Sequence, residues 1–425
     1  MSATTVRLTT AEGVEALDLA AAQPDPGSVQ AVGRLRARFG PELATAALQQ
    51  EALRRRAVGK FGAQARHLLF TADGLEQATR PEVSRWRFTR LVEAGATHLL
   101  DLGCGIGADG LAALEAGLQV VAVELDPDTA AVARHNLARH HPSGSHPAGS
   151  HPAGSHPAGS HPAGSHPGPT GGRVVDGDAT LLVHDLLADL PDTTAIMVDP
   201  ARRNAKGRSW RLEDLSPPWS FVLSLVEAPR PTVVKLGPGI DRTVLPAVAT
   251  SHVSHAGAAV ETTLWSGIDG MAPLEAVAIG RDGIVHSLSG EAPKVPPLGP
   301  LGGFVHEPDP ALSRAQLVGA RADDLVQLDA QAGYYSSDEP LDGPFMTSFR
   351  VLDVLDARTK PLKQWVRNHD IGTLEIKKRG SGGLLDVDPA QLRRSLAPPG
   401  NRAATLVLAR VEGSVVALHV ARAGS

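Results

Sequence analysis

Between residues 14 and 70, apolar side chains such as Leu43, Ala47, Leu48 and Leu53 recur at helical spacing against a background of Ala, Gln and Arg. This opening section is therefore expected to be mostly helical, forming a cap. From Arg80 the pattern changes to apolar runs of four to six residues that alternate with Ala-rich stretches. Such alternation builds a parallel sheet with helices on both faces. The runs fall at residues 98–100, 120–123, 173–175, 195–198 and 232–236. Two more, at 260–265 and 274–279, lie close enough to form an antiparallel pair at the sheet edge, giving a seven-stranded Rossmann-like sheet.

Two stretches interrupt this pattern. Residues 141–170 repeat the pentapeptide His-Pro-Ala-Gly-Ser with small variations and offer nothing apolar to bury, so they are expected to be a disordered loop. A histidine at every fifth position has affinity for nickel or zinc, but a flexible ligand set lacks preorganisation, and no metal is assigned. A Pro-rich connector, Ala292-Pro293-Lys294-Val295-Pro296-Pro297-Leu298-Gly299-Pro300, then precedes a separate module. Its second half reads as a strand at 345–352, a helix at 361–368, a strand at 373–378, a helix at 389–396, and strands at 405–411 and 415–420. The expected domains are a helical section at 1–80, an α/β domain at 81–287 and a smaller α+β module at 301–425.

Composition narrows the function. A chain of 425 residues supports two or three cores. With 41 basic and 46 acidic residues the formal charge is −5, which excludes a polycation that coats nucleic acid indiscriminately. Charge is nevertheless uneven: residues 301–356 carry 3 basic and 10 acidic side chains, whereas 357–425 carry 12 basic and 5 acidic. Arg54, Arg55, Arg56, Lys60 and Arg66 form a second basic concentration, suited to phosphates or to a solvated helix face. The only cysteine is Cys104, which rules out an internal disulfide and fits a reducing compartment. No basic-then-apolar leader opens the sequence, and no run approaches the ~20 apolar residues of a membrane span, so a cytoplasmic location without membrane contact is expected.

The chemistry concentrates in Asp101-Leu102-Gly103-Cys104-Gly105-Ile106-Gly107, directly after the first strand, with Glu124 ending the next. Gly103, Gly105 and Gly107 allow a tight strand-to-helix turn and leave backbone N–H groups bare for a nucleoside-bearing ligand. An acid about twenty residues on suits a ribose diol. Read loosely, the glycines also match a dinucleotide fingerprint. Asp101 argues against that reading, because its charge repels a pyrophosphate and attracts the ammonium of a methionine moiety. Asp178, after a third strand, is placed to accept from an adenine amino group. The charge preference selects S-adenosylmethionine.

Through Asp101 to Gly107, Glu124, Asp178 and Asp199-Pro200 at the end of the fourth strand, the chain resembles the class I S-adenosylmethionine-dependent methyltransferases. Lys60-Phe61, Gly74-Leu75-Glu76-Gln77-Ala78-Thr79, Asp199-Pro200-Ala201-Arg202-Arg203, Lys235-Leu236-Gly237-Pro238-Gly239 and Lys377-Lys378-Arg379-Gly380 further resemble the bacterial methyltransferases that carry a C-terminal THUMP-like domain. The resemblance implies that Gln77 and Thr79 close the cofactor pocket and that the acceptor is RNA. Asp199 and Pro200 occupy the place where amino-directed enzymes set an acid or amide, two prolines and an aromatic. Ala201 and Arg202 replace the second proline and the aromatic here, so Arg202 and Arg203 are expected to stack on a base or pair with a phosphate, or else to pair with acids such as Glu213 or Asp214. Ser216-Pro217-Pro218-Trp219 imitates the missing aromatic motif in letters, but the charged residues before it place it in a loop.

Lys235 is a candidate substrate contact at the carboxyl rim, and Lys377, Lys378 and Arg379 are candidate phosphate contacts. The expected function is a methyltransferase acting on RNA. Two alternatives stay open: methylation of a protein or small molecule, and an RNA-binding protein that keeps the cofactor fold without turnover. Oligomeric state, the particular RNA and the acceptor atom are not encoded in any motif.

Overall fold

The computed structural model describes residues 7–138, 172–202, 212–330, 333–341, 343–379 and 383–423. The histidine-rich repeat at 141–170 and Arg203 lie outside the described residues. The chain divides into two compact units, Met1–Lys235 with Trp265–Asp269, and Leu236–Leu264 with Gly270–Ser425.

The first unit opens with helices α1 (Ala11–Ala21), α2 (Val29–Phe61), α3 (Ala72–Gln77) and α4 (Pro81–Glu93). Thr10, Ser28 and Thr71 cap the first three, each hydroxyl accepting from a free N–H of the first turn. Helix α2 breaks at Gly40, where φ is 74°, because Pro41 has no N–H with which to continue the ladder.

An alternating section follows: β1 (His98–Leu102), α5 (Ala108–Glu115), β2 (Gln119–Glu124), α6 (Pro127–Ala138), β3 (Arg173–Asp176), α7 (Ala179–Ala188) and β4 (Thr194–Val198). It closes with the short ladder β5 (Ala201–Arg202) and β6 (Leu215–Ser216), then α8 (Trp219–Val226) and β7 (Thr232–Leu236). The five long strands are parallel, in the order β3-β2-β1-β4-β7. Chain direction across the sheet reverses at β1, which lies between β2 and β4. Such a switch point leaves a crevice at the carboxyl ends of the strands, where ligands bind. Every residue of β4 is buried, in keeping with a strand covered on both faces.

The helical opening section shares its apolar core with the sheet section. Leu35, Leu43, Ala47, Leu69 and Phe70 cluster with Ile106 of the glycine loop and Val132 of α6. Asn136, 1% exposed, fastens the same seam. Its Oδ1 accepts from Leu69 N at 2.8 Å, and its Nδ2 donates to the Leu69 and Ile106 carbonyls at 3.0 and 2.8 Å.

The second unit begins with β8 (Ala249–His255), β9 (Ala258–Ser266), β10 (Leu274–Ile279) and β11 (Val285–Gly290), in the spatial order β11-β10-β8-β9. This corrects the expected antiparallel pairing of 260–265 with 274–279: β8 separates those strands and runs parallel to β10. Strand β8 escaped notice because its buried residues include Thr250, Ser251, His252 and Ser254, which give no apolar signal. Partners within the sheet satisfy several of them, including Glu275 for Ser251 and Thr262 for His252.

The remainder comprises β12 (Phe304–Pro308), α9 (Pro310–Arg314), β13 (Val326–Gln327), β14 (Tyr335–Ser337), β15 (Met346–Asp356), α10 (Thr359–Asn368), β16 (Ile371–Lys378), α11 (Pro389–Leu396), β17 (Arg402–Val411) and β18 (Ser414–Arg422). Its seven strands follow the order β13-β14-β12-β15-β18-β17-β16. Leu362, Trp365 and Val366 of α10 and Leu392 and Leu396 of α11 form a core with Leu374, Leu406 and Leu408 of the sheet. That burial leaves the opposite helix faces to polar residues.

The Asn136 seam yields the first expectation. Asn136→Ala would leave one buried N–H and two buried carbonyls short of a partner, at about 1–3 kcal/mol for each group left unsatisfied. A loss of roughly 3 kcal/mol in urea denaturation is expected, and a change below about 1 kcal/mol would show that the seam does not hold the helical section.

Candidate active site

At the end of β1 the backbone turns through Gly103, Gly105 and Gly107, whose φ angles of 91°, 55° and 78° favour glycine. The N–H groups of Gly103 and Cys104 both donate to the Val123 carbonyl, at 2.9 and 3.0 Å, which ties the turn to β2. A Cβ on Gly107 would stand 3.3 Å from the Leu137 side chain and 3.5 Å from Ala133, so any side chain there would press on α6 in addition to straining the backbone.

Glu124 completes the cradle. Its Oε2 accepts from Gly105 N and its Oε1 from Asp126 N, each at 2.9 Å. Burial raises its carboxyl above the usual range, partly opposed by these two N–H bonds. A carboxylate has about four acceptor positions, so capacity remains for ligand hydroxyls.

Asp101 is 1% exposed, and its Oδ2 has no hydrogen-bond partner among the described residues. Burial, then the neighbouring Asp109 and Asp199, push its carboxyl up to about 8, with Lys235 and Arg87 acting the other way. An enclosed, unpartnered carboxyl oxygen beside a cavity is short of a cationic or hydrogen-bonding ligand.

Asp109, in the first turn of α5, behaves oppositely. Burial alone would raise it, but the charges of Arg87 and Lys235 and a hydrogen bond from Ser84 outweigh that effect and hold it far below the usual range. Arg87 Nη1 lies 2.8 Å from Asp109 Oδ1, and Thr79 Oγ1 donates to Oδ2 at 3.0 Å. Ser84 Oγ donates to Oδ1 as well. Arg87 itself is fully enclosed.

These residues surround a cavity of about 440 Å³ lined by Gly103, Gly105, Glu124, Asp178, Asp199 and Lys235, with Gln77 on its helical side. Asp178 caps α7, its Oδ1 accepting from Thr180 N at 2.8 Å and Thr180 Oγ1 at 2.7 Å. Gln77 lies on the wall, whereas Thr79 is turned to Asp109 behind it. Lys60 secures that wall from the helical section, donating to the carbonyls of Leu75 at 2.9 Å and Glu76 at 3.2 Å. Burial, then the charges of Arg80 and Lys235, lower its ammonium to about 8. Arg54 and Arg55 also donate to backbone carbonyls, of Leu68 and of Pro24 and Gln23.

Asp199 follows β4, with Pro200 buried behind it. Lys235 Nζ pairs with Asp199 Oδ2 and stands 3.5 Å from Asp109 Oδ2. The β5–β6 ladder joins Ala201 to Ser216 and Arg202 to Leu215. Ser216, Pro217 and Pro218 consequently line the cavity opposite Asp199. The expected loop holds for Pro217 and Pro218 only: Ser216 ends a strand whose Leu215 is buried despite its charged neighbours. Trp219 opens α8 and is half-buried.

In the second unit, Lys377 Nζ and Arg379 Nε flank Glu307 at 3.0 and 3.3 Å, and Lys378 Nζ donates to the Leu385 carbonyl. Asp109, Arg87 and Ser84 were missed from sequence. An acid two residues beyond the last glycine was the available signal, but nothing local announces that Arg87 reaches it.

The residues present fit S-adenosylmethionine on structural grounds: an orphaned carboxyl oxygen for a cation, a partly engaged glutamate for a diol, and between them a glycine turn without side chains, although the N–H groups of Gly103, Gly105 and Gly107 are taken by Val123, Glu124 and Cys104 and are not left bare as expected. Among the described residues no His, Cys, Asp and Glu group is arranged to hold a metal, and no helix is long and apolar enough to cross a membrane.

The sheet order and the acid-rimmed glycine loop define an S-adenosylmethionine-dependent methyltransferase of the class I kind. Comparison with known proteins is specific. The chain is 31% identical over 390 residues to the uncharacterized S-adenosylmethionine-dependent methyltransferase Rv3037c of Mycobacterium tuberculosis H37Rv, covering 89% of this chain and 95% of that one. Its counterpart MT3122 in strain CDC 1551 matches equally. The chain belongs to this family of S-adenosylmethionine-dependent methyltransferases. Residues 346–422 match the family described as THUMP domain-like, and residues 2–57 match a domain of unknown function (DUF8688). A crystal structure described as a candidate methyltransferase from Porphyromonas gingivalis W83 shares the fold, with a TM-score of 0.68 at 21% identity over 96% of this chain and 98% of that one.

Asp101 has the enclosure and the raised carboxyl to make the binding of a cation proton-linked. A carboxyl raised from 3.8 to about 8 holds its proton in the folded protein, so its contribution to stability falls as pH climbs through that window. A cationic ligand favours the ionised form, so binding near neutral pH should release a proton and tighten as pH rises towards 8. Calorimetry in buffers of different ionisation enthalpy should detect that release for the native protein and not for Asp101→Asn. Equal proton counts for the two would remove Asp101 as the linked group.

Proposed function

We propose that this methyltransferase acts on RNA in the cytoplasm, with Asp199 and Pro200 at the acceptor position. When bound, S-adenosylmethionine supplies a methyl group on a positively charged sulfur, and transfer needs chiefly a close, aligned nucleophile. Asp101 holds the ammonium, Glu124 takes the ribose hydroxyls, Asp178 accepts from adenine, and the Gly103, Gly105 and Gly107 backbone cradles the rest. Gln77 borders the pocket, and Thr79 acts indirectly by orienting Asp109. A single buried thiol suits a reducing compartment.

The observation that carries the RNA reading is the exposed face of α10 and α11. Lys360, Lys363 and Arg367 on one helix and Arg393 and Arg394 on the other give five cations and no acid within these two elements. Both helices lie inside the THUMP-like match, and none of the five is ion-paired among the described residues. They are better placed for phosphate than Lys377 and Arg379, which already bracket Glu307. Functionally the chain then reads as a helical section at 1–80, a transfer domain at 81–287 and an RNA-holding module at 301–425.

Methyl-labelled cofactor offered to total RNA and total protein together should label RNA, and label confined to protein would refute this reading. Binding strength should also fall steeply with salt. For single-stranded RNA each lost phosphate contact reduces the slope of log K against log salt by about 0.7, so replacing Arg393 and Arg394 with Gln should reduce it by about 1.4. An unchanged slope would move the RNA away from these helices.

A further inference from the structure

We propose that Asp199 and Lys235 together read a nucleobase lactam, a ring N–H beside a carbonyl as in guanine or uracil, and that the ring nitrogen is the methyl acceptor. The inference rests on the RNA reading above and narrows it.

Asp199 and Lys235 follow the registered pair Val198 and Val234 on the adjacent parallel strands β4 and β7, so their side chains stand next to one another at the rim. Lys235, 13% exposed, is held from behind by Asp109 and in front by Asp199 Oδ2. Asp109 is in turn held by Arg87, Ser84 and Thr79. Asp199, 36% exposed, keeps Oδ1 free of protein hydrogen bonds among the described residues. The cavity therefore meets one acceptor and one charged donor, side by side.

A lactam matches them: its N–H donates to the carboxylate and its carbonyl accepts from the ammonium. The amidine edge of adenine or cytosine also offers a donor beside an acceptor, so the pattern alone does not choose between them. Charge does. Attack by an exocyclic amine builds positive charge on nitrogen, which the Lys235 ammonium opposes. A lactam nitrogen must lose its proton, and negative charge then gathers on the carbonyl oxygen next to that ammonium, which stabilises it. The ring after Asp199-Pro200 that stacks an amine-bearing base is also missing, with Ala201 and Arg202 in its place.

The step balances without a further reactant. The N–H proton passes to Asp199, the nitrogen lone pair forms the bond to the methyl carbon, and the carbon–sulfur bond breaks with its electron pair left on sulfur. Sulfur ends neutral, and the proton leaves Asp199 to water.

To test this, the protein is incubated with methyl-labelled cofactor and RNA from cells lacking this gene, and the digested nucleosides are identified by mass spectrometry. Label in N1-methylguanosine or N3-methyluridine supports the proposal. Label in N6-methyladenosine, N4-methylcytidine or N2-methylguanosine, on ribose or on carbon, overturns it and leaves the RNA reading intact. RNA without label overturns both. With the labelled RNA, Asp199→Asn should lower turnover at neutral pH about 100-fold, within the range for a lost general base. Cofactor affinity by calorimetry should change less than about threefold, which certifies the fold. Turnover should recover at least tenfold as pH is raised into the range where the ring N–H ionises unaided. A loss that does not vary with pH would remove Asp199 as the proton acceptor, and the proposal with it.

Discussion

A charged carboxylate with almost no access to water has to be paid for by its neighbours, and in this enzyme that carboxylate is Asp109. Arg87, Ser84, Thr79 and Lys235 converge on it from α4, the segment before α4, and β7. Removing one partner from such a buried pair typically costs about 3–5 kcal/mol, because the remaining charge is stranded. The arrangement therefore fixes where α4 sits against α5 and where the Lys235 ammonium points. The placement of Lys235 at the cavity and the stability of the fold share one cluster.

The contrast with Asp101 follows from the same electrostatics. Both side chains are enclosed at one rim, yet Asp109 has its countercharges in place while Asp101 has an oxygen with none. One acid is thus completed by the protein and the other is left for a ligand. The third, Asp199, is the most open and lines the same cavity. The three carboxyls thus differ in exposure and in countercharge around a cavity of about 440 Å³.

The helical opening section is part of this machinery, although its sequence describes it only as helix. Lys60 holds the α3 carbonyls that end at the cavity wall, and Asn136 ties Leu69 to the glycine loop. Much of the basic charge near the end of α2 is engaged with backbone carbonyls in this packing. Positive charge suited to phosphate stands instead on α10 and α11, where apolar positions face the core and leave cations outward.

The sequence by itself determined the five parallel strands, the helices between them, the glycine turn with its acids, and the elements after residue 345. Each of these rests on local periodicity or on a motif confined to a few neighbouring residues, and such signals survive without knowledge of the fold. Tertiary structure alone decided four things: that Arg87 reaches Asp109, that Lys235 pairs with Asp199, that Ser216-Pro217-Pro218 faces the cavity, and that β8 lies between β9 and β10. In each case the partners are far apart in sequence or the segment is polar where burial was to be inferred. Polar groups can be buried only once their partners are placed, and that placement is a property of the folded chain.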